Sequence, residues 1–287
     1  MKKIYSLMII AAGILWGTLG VFGKILAGYG FNSAQCAAMR LTSAAVILTA
    51  VNIKNLKVNP NQLWKFALLG LFGMFGMTFV YFEAIKRTSI SVAAVLLYTA
   101  PIMVTVMSSV IYHERLTGRK ITALFAAFLG IVLVSGFNAA GATPIGIALG
   151  LLSGFFYALY SIIGKYALKE NRAETATNYA FIFSAPVALL ACNPASLLAT
   201  AASAPNKPVV ILTMAALGIV TSVIPFSLYT KALVHVPAGK ASIMASVEPL
   251  AATLFGIALY GEKLTFMSVL GMAAILLAVT LLGTSEQ

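Results

Sequence analysis

Aspartate is absent from the chain, and all seven acidic residues are glutamates. That removes any intramembrane site built on paired aspartates and leaves few carboxylates for acid–base work. Histidine is nearly as scarce: His113 and His235 are the only two, and neither stands in an HExxH spacing. Cys36 and Cys192 lie in apolar surroundings without CxxC spacing and read as small buried hydrophobes. A metal centre gathers several such ligands, so the sequence calls for no metal and no cofactor. The Gly-Lys pairs at 23–24, 164–165 and 239–240 lack the leading Gly and trailing Ser or Thr of a phosphate loop. An ATP-driven pump is therefore excluded, and a membrane enzyme has nothing to work with.

Charge of either sign is sparse as well. Only 9% of the 287 residues are charged and 61% are hydrophobic, whereas soluble chains carry about a quarter charged residues. Such a chain cannot clothe itself for water, and its solvent is lipid. A spanning helix needs about 20 apolar residues, and backbone groups in hydrocarbon must be paired within the segment. Apolar runs fall at 5–27, 33–52, 63–85, 89–112, 119–137, 144–166, 174–192, 208–232, 238–260 and 264–283. The first imitates a signal peptide, but it continues past Trp16 without a cleavage-like site and reads as a retained helix. The break from Asn193 to Lys207 reads as a plain loop. The net charge of +12 is spread over short loops, as the positive-inside rule describes, so no nucleic-acid partner is expected.

With the N-terminus placed inside, Lys2, Lys3, Lys54, Lys57, Lys65, Arg115, Arg119, Lys120, Lys165, Lys169, Arg172 and Lys263 are assigned to the cytoplasm. Lys24, Arg40, Lys86, Arg87, Lys207, Lys231 and Lys240 are assigned to the opposite side, 12 against 7. Glu114 and Glu262 are both set at cytoplasmic span ends. The expected location is the inner membrane, multi-pass, with both termini cytoplasmic.

An internal repeat organises the chain. At an offset of 148, Tyr81 meets Tyr229, Pro101 meets Pro249, Thr105 meets Thr253, and residues 112–117 meet 260–265, with Glu114 on Glu262. At 141, Gly23-Lys24 meets Gly164-Lys165 and Trp16 meets Tyr157. Five spans per half is an odd number, so the second half enters the membrane in the opposite sense. The expected fold is an all-α integral membrane protein of ten transmembrane helices, as two inverted five-helix repeats over 1–138 and 144–284. Inverted repeats around a midplane site are a recurring carrier design.

Leu15-Trp16-Gly17 and Lys24, Arg40-Leu41, the span ends Tyr112-His113-Glu114-Arg115-Leu116 and Tyr260-Gly261-Glu262-Lys263-Leu264, and Glu248-Pro249 together resemble the EamA-like family of the drug/metabolite transporter superfamily. The resemblance covers nearly the whole chain and implies export or exchange of amino acids and related small metabolites. One departure is that Glu248 meets Ala100 in the first half, so no symmetric pair of carboxylates exists.

The residues nominate a site. Glu248 is the only charge between Lys240 and Glu262, and an acid at that depth is costly unless paired or wetted. Pro249 beside it removes a backbone donor and frees the Ala245 carbonyl. That suits a substrate ammonium or a proton relay, or else a structural pair with Arg40. Arg40 could clamp a carboxylate or merely neutralise Glu248. Trp16, Tyr81, Tyr98, Tyr157 and Tyr229 supply aromatic walls with polar handles, and Pro101 and Pro249 are nominated for coupling or gating. Glu83, Lys231, Lys24 and Lys165 read as snorkelling residues near span ends. Gly13, Gly17, Gly20 and Gly23, with the Gly146, Gly150 and Gly154 face, read as helix packing. The expected function is a secondary transporter of small metabolites, amino acids foremost, by alternating access, as a monomer or weak homodimer with protons as a coupling partner. A channel, a receptor or a multidrug exporter of the same fold are the rivals.

Overall fold

The computed structural model describes residues 2–53, 56–136 and 142–283. Lys54, counted above, lies outside the described residues, as do Met1, 137–138 and 284 at the bounds of the two expected units. The described residues form nine helices long and apolar enough to cross a membrane, α1 (Lys3–Gly28), α2 (Ser33–Asn52), α3 (Pro60–Arg87), α4 (Ile90–Tyr112), α5 (Gly118–Ser135), α6 (Pro144–Ala167), α8 (Lys207–His235), α9 (Ala238–Tyr260) and α10 (Phe266–Gly283), and a tenth, α7 (Ala173–Ala191), that qualifies together with the bent helix after it. Their starts are set by polar caps that occupy otherwise unpaired N–H groups. Asn32 and Gln35 form a reciprocal capping box at α2, and Ser89, Thr117 and Thr143 accept from the backbone at α4, α5 and α6.

Several helices are interrupted where the chain must do something other than span. α1 breaks at Thr18, whose hydroxyl donates to Leu15 O at 2.6 Å. α4 breaks at Tyr98–Thr99, just ahead of Pro101, and α9 breaks at Ser246–Val247, just ahead of Pro249. Proline's missing N–H ends the ladder and its ring suits the first turn of the new segment. α3 and α8 each widen into a π turn, at Leu69–Gly76 and Ile219–Val223.

α1 packs against α8 and α9, α2 against α7, α3 against α6, and α5 against α10. In lipid no hydrophobic force drives these pairings, so small residues that permit close approach decide them. A Cβ on Gly130 would sit 2.6 Å from Gly271 O, and one on Gly17 2.8 Å from Ala252 N in α9. The expectation that Gly20 and Gly23 also serve packing does not hold: a Cβ on either would meet nothing within 4 Å.

Two other expectations are corrected. The stretch after Ala191 is not a plain loop: Pro194–Ser203 is a helix bent 80° from α7. Asn193, left-handed at φ 60°, accepts from Ser196 N, and Pro194 occupies the first turn. Glu114 and Glu262 do not share a face. Tyr5 at the start of α1 stacks on His235, next to the loop that Glu114 binds, whereas Lys24 near its end pairs with Glu262. Five crossings separate Glu114 from Glu262, and an odd number changes the side. Lys231 and Lys240 therefore belong with the N-terminal face, and Lys263 with the other.

Candidate functional site

Between the broken helices lies a cavity of about 500 Å³. Its floor is formed by Trp16, Arg40, Tyr98, Tyr157, Phe226, Glu248 and Pro249, and its walls continue through Leu19, Gly23 and Ala27 to Phe31 and Ser33 at the α1–α2 turn. The cavity thus reaches from mid-bundle to the face where α1 ends. Among the described residues, none that lines it comes from the opposite loops.

The breaks position the chemistry. Interrupting α9 at Ser246–Val247 makes Glu248 the first acidic residue of a new helical segment, where the helix dipole favours a carboxylate. Interrupting α4 places Tyr98 at the facing break, where it lines the cavity with Glu248. Arg40, 6% exposed, comes from α2, and its Nη2 donates to Thr78 Oγ1 of α3 at 3.5 Å. Arg40 and Glu248 feel each other electrostatically, yet among the described residues neither is in a direct salt bridge. Opposite charges sharing one pocket without touching leave room for a solute between them. The Trp16 indole N–H is itself buried and, among the described residues, has no acceptor. A buried donor without a partner is costly, and a small turn of the Trp16 ring would bring it to a group bound in the cavity.

Of the nominated residues, Trp16, Arg40, Tyr81, Tyr98, Tyr157, Glu248 and Pro249 come together at this cavity. Tyr229 and Pro101 do not line it. Tyr229 stands behind Trp16, with ring centroids 5.4 Å apart and its hydroxyl 2.8 Å from Ser161 Oγ. Pro101 is buried in the second segment of α4. Cys36 and Gly23, read as packing, line the cavity instead. Thr78, Phe31, Phe82 and Phe226 also line it and were not nominated. Their only signal would have been position on a helix face, which depends on how the helices rotate in the bundle. Glu83 pairs with Lys86 at 2.5 Å and Lys231 with Glu174 at 3.2 Å, both at helix ends away from the cavity.

The face opposite the opening is closed by a polar knot. Glu114 accepts from Lys120 Nζ at 2.9 Å, the Ser108 hydroxyl at 3.1 Å, Ala238 N at 2.7 Å and Gly239 N at 3.3 Å. Lys165 lies 3.9 Å from the same carboxylate and donates to Val236 O at 2.9 Å. Burial alone pushes the Glu114 carboxyl up, but Lys120, the Ala238 N–H and Lys165 together hold it below its ordinary value.

The sequence matches the model of the EamA-like transporter family over residues 3–136 and 144–284. Among similar proteins is an uncharacterized transporter of Archaeoglobus fulgidus, 28% identical, with 94% of this chain and 93% of that one aligned. Another is the uncharacterized transporter YyaM of Bacillus subtilis, 24% identical, covering 95% and 91%. A crystal structure 19% identical in sequence superimposes with a TM-score of 0.80, covering 96% of this chain and 95% of that one, a likeness of fold. The chain belongs to the EamA-like transporter family and is a multi-pass membrane transporter.

Proposed function

We propose that this protein is a secondary transporter that exports small zwitterionic metabolites, amino acids foremost, by alternating access. The observation that carries the reading is the placement of Arg40 and Glu248 in one cavity without a direct ion pair. A guanidinium suits a carboxylate, and a carboxylate with Tyr98 beside it suits an ammonium group. Trp16, Tyr81 and Tyr157 form the aromatic wall, with Tyr229 as support behind Trp16. A cavity open at one face and knotted at the other is what one conformation of an alternating-access carrier requires. The matched breaks of α4 and α9 at Pro101 and Pro249 support two inverted five-helix units, 1–138 and 144–284, hinged at those prolines. The N-terminal face carries Lys3, Lys57, Lys65, Arg115, Arg119, Lys120, Lys165, Lys169, Arg172, Lys231 and Lys240, which supports a cytoplasmic setting for both termini in the inner membrane. The unit that transports is the monomer, with at most weak homodimerisation.

The test is counterflow in proteoliposomes preloaded with amino acids, nucleosides and small organic cations. Saturable exchange of amino acids, lost in Arg40→Ala, supports the reading, and exchange of nothing by folded protein sinks it. Glu248 is the acid proposed for proton coupling. Glu248→Gln is expected to remove dependence of uptake on a pH gradient, and undiminished dependence would exclude it. One observation favours a second reading, a multidrug exporter of the same fold: apart from Arg40 and Glu248 the lining is uncharged and largely apolar. Exchange of organic cations but not amino acids would select it.

A further inference from the structure

At the two faces of the bundle the halves present matched partners. Glu114 corresponds to Glu262 at the offset of 148, and Lys24 to Lys165 at 141. Each glutamate meets the lysine of the other half: Lys165 Nζ is 3.9 Å from Glu114 and Lys24 Nζ is 2.6 Å from Glu262. The turns that carry the glutamates have one shape. His113 (φ 52°) and Gly261 (φ 65°) are both left-handed, and the next N–H donates to the carbonyl six residues back, Ser108 or Gly256, at 3.3 Å in each case.

Their surroundings differ. The Glu114 side chain is only 10% exposed and caps the first turn of α9 through Ala238 N and Gly239 N. Glu262 is half exposed and, among the described residues, its one ion-pair partner is Lys24 at the open face. We propose that Glu114 and Glu262 are reciprocal latches, each closing its own membrane face by capping the first turn of the other half's broken span. Only one latch is engaged at a time. For Glu262 the cap lies at the start of α4, on Ile90 N and Ser91 N, the counterparts of Ala238 and Gly239 at the same offset. This inference rests on the alternating-access reading and assigns its gates. The latches are unequal: Lys120, which pairs with Glu114, has Ser268 as its counterpart. The engaged Glu114 latch has a cation that the other lacks, so the resting protein favours the conformation seen here.

Two matched reporters test the assignment. Ala94 lines the open cavity, and its counterpart Ser242 is 8% exposed behind the knot. Ala94→Cys and Ser242→Cys are introduced together into a Cys36→Ala, Cys192→Ala background, purified protein is labelled with an impermeant maleimide, intact mass counts the labels per molecule, and peptide mass after digestion gives the share at each position. The parent is expected to label at Ala94→Cys and to protect Ser242→Cys. Glu114→Gln is expected to invert that ratio by on the order of tenfold or more, because it removes the charge to which Lys120 Nζ donates at 2.9 Å and which Lys165 faces at 3.9 Å. Glu262→Gln is expected to protect Ser242→Cys further. Lys120→Ser moves the ratio in the direction of Glu114→Gln by less, and carries the test if Glu114→Gln does not fold. Lowered thermal stability with unchanged labelling ratios would leave Glu114 a structural residue and overturn the latch assignment. Rapid double labelling of single molecules of the parent would instead refute alternating access itself.

Discussion

Substituting Gly17 by alanine probes the contact on which the site's geometry depends. A Cβ there would lie 2.8 Å from Ala251 Cβ, 2.8 Å from Ala252 N and 2.9 Å from Glu248 O. Ordinary contact begins at 3.4 Å, so the methyl is short of room by about 0.6 Å, and two of the three obstacles are backbone. Neither helix can yield by a rotamer change, so α1 must move off the α9 break that presents Glu248. Overpacking of this kind costs about 1–3 kcal/mol, and Trp16, one residue away, is carried along. Gly20, three residues further along the same helix, has nothing within 4 Å of its Cβ position. Gly17→Ala is expected to lower the Tm of purified protein by several degrees and to slow counterflow. Gly20→Ala is expected to leave both unchanged. Equal stability and equal transport in the two variants would refute the claim that α1 is fixed against α9 at Gly17.

The Trp16→Phe variant keeps the ring and removes the unpartnered indole N–H, and should raise the transport KM about two- to tenfold with little change in maximal rate. An unchanged KM would mean that this donor does not meet the solute. Because the Glu114 carboxyl is held below its ordinary 4.5, its contribution is full above that pH and is lost as pH falls through the lowered value. Tm measured on acidification below 4.5 should therefore drop more in the parent than in Glu114→Gln, and parallel profiles would count against the knot. His113 adopts φ 52°, a conformation costing a side-chain-bearing residue about 1–2 kcal/mol. His113→Gly should raise Tm by a few degrees, and a fall would show that the imidazole makes a compensating contact.

The bundle was legible in the sequence because long apolar runs have one stable solution in lipid. Arg40 and Glu248 were legible for the same reason, since a charge inside such a run stands out against its solvent. Tyr157 and Tyr229 could not be told apart, because lining a cavity or backing its wall depends on helix rotation, which composition does not encode. Likeness of sequence pairs Glu262 with Glu114 on one face, whereas counting crossings puts it on the opposite side. The Pro194–Ser203 helix was hidden by its Ala, Ser and Pro content, which reads as loop, although Asn193 and Pro194 are a helix start.

That short helix has a consequence for the protein's bilayer. The 19 residues of α7 span about 28 Å, close to a hydrocarbon thickness of about 30 Å, so the crossing is nearly complete at Ala191. A helix leaving at 80° then runs along the interface, tied to α2 where Gln35 Nε2 donates to Ser196 Oγ and Thr200 Oγ1 at 3.2 Å each. Those bonds couple the end of α7 to the start of α2, the helix that carries Arg40. Bilayers much thinner or thicker than α7 would pull on that tether before they touched the cavity. Transport should accordingly peak at one acyl-chain length.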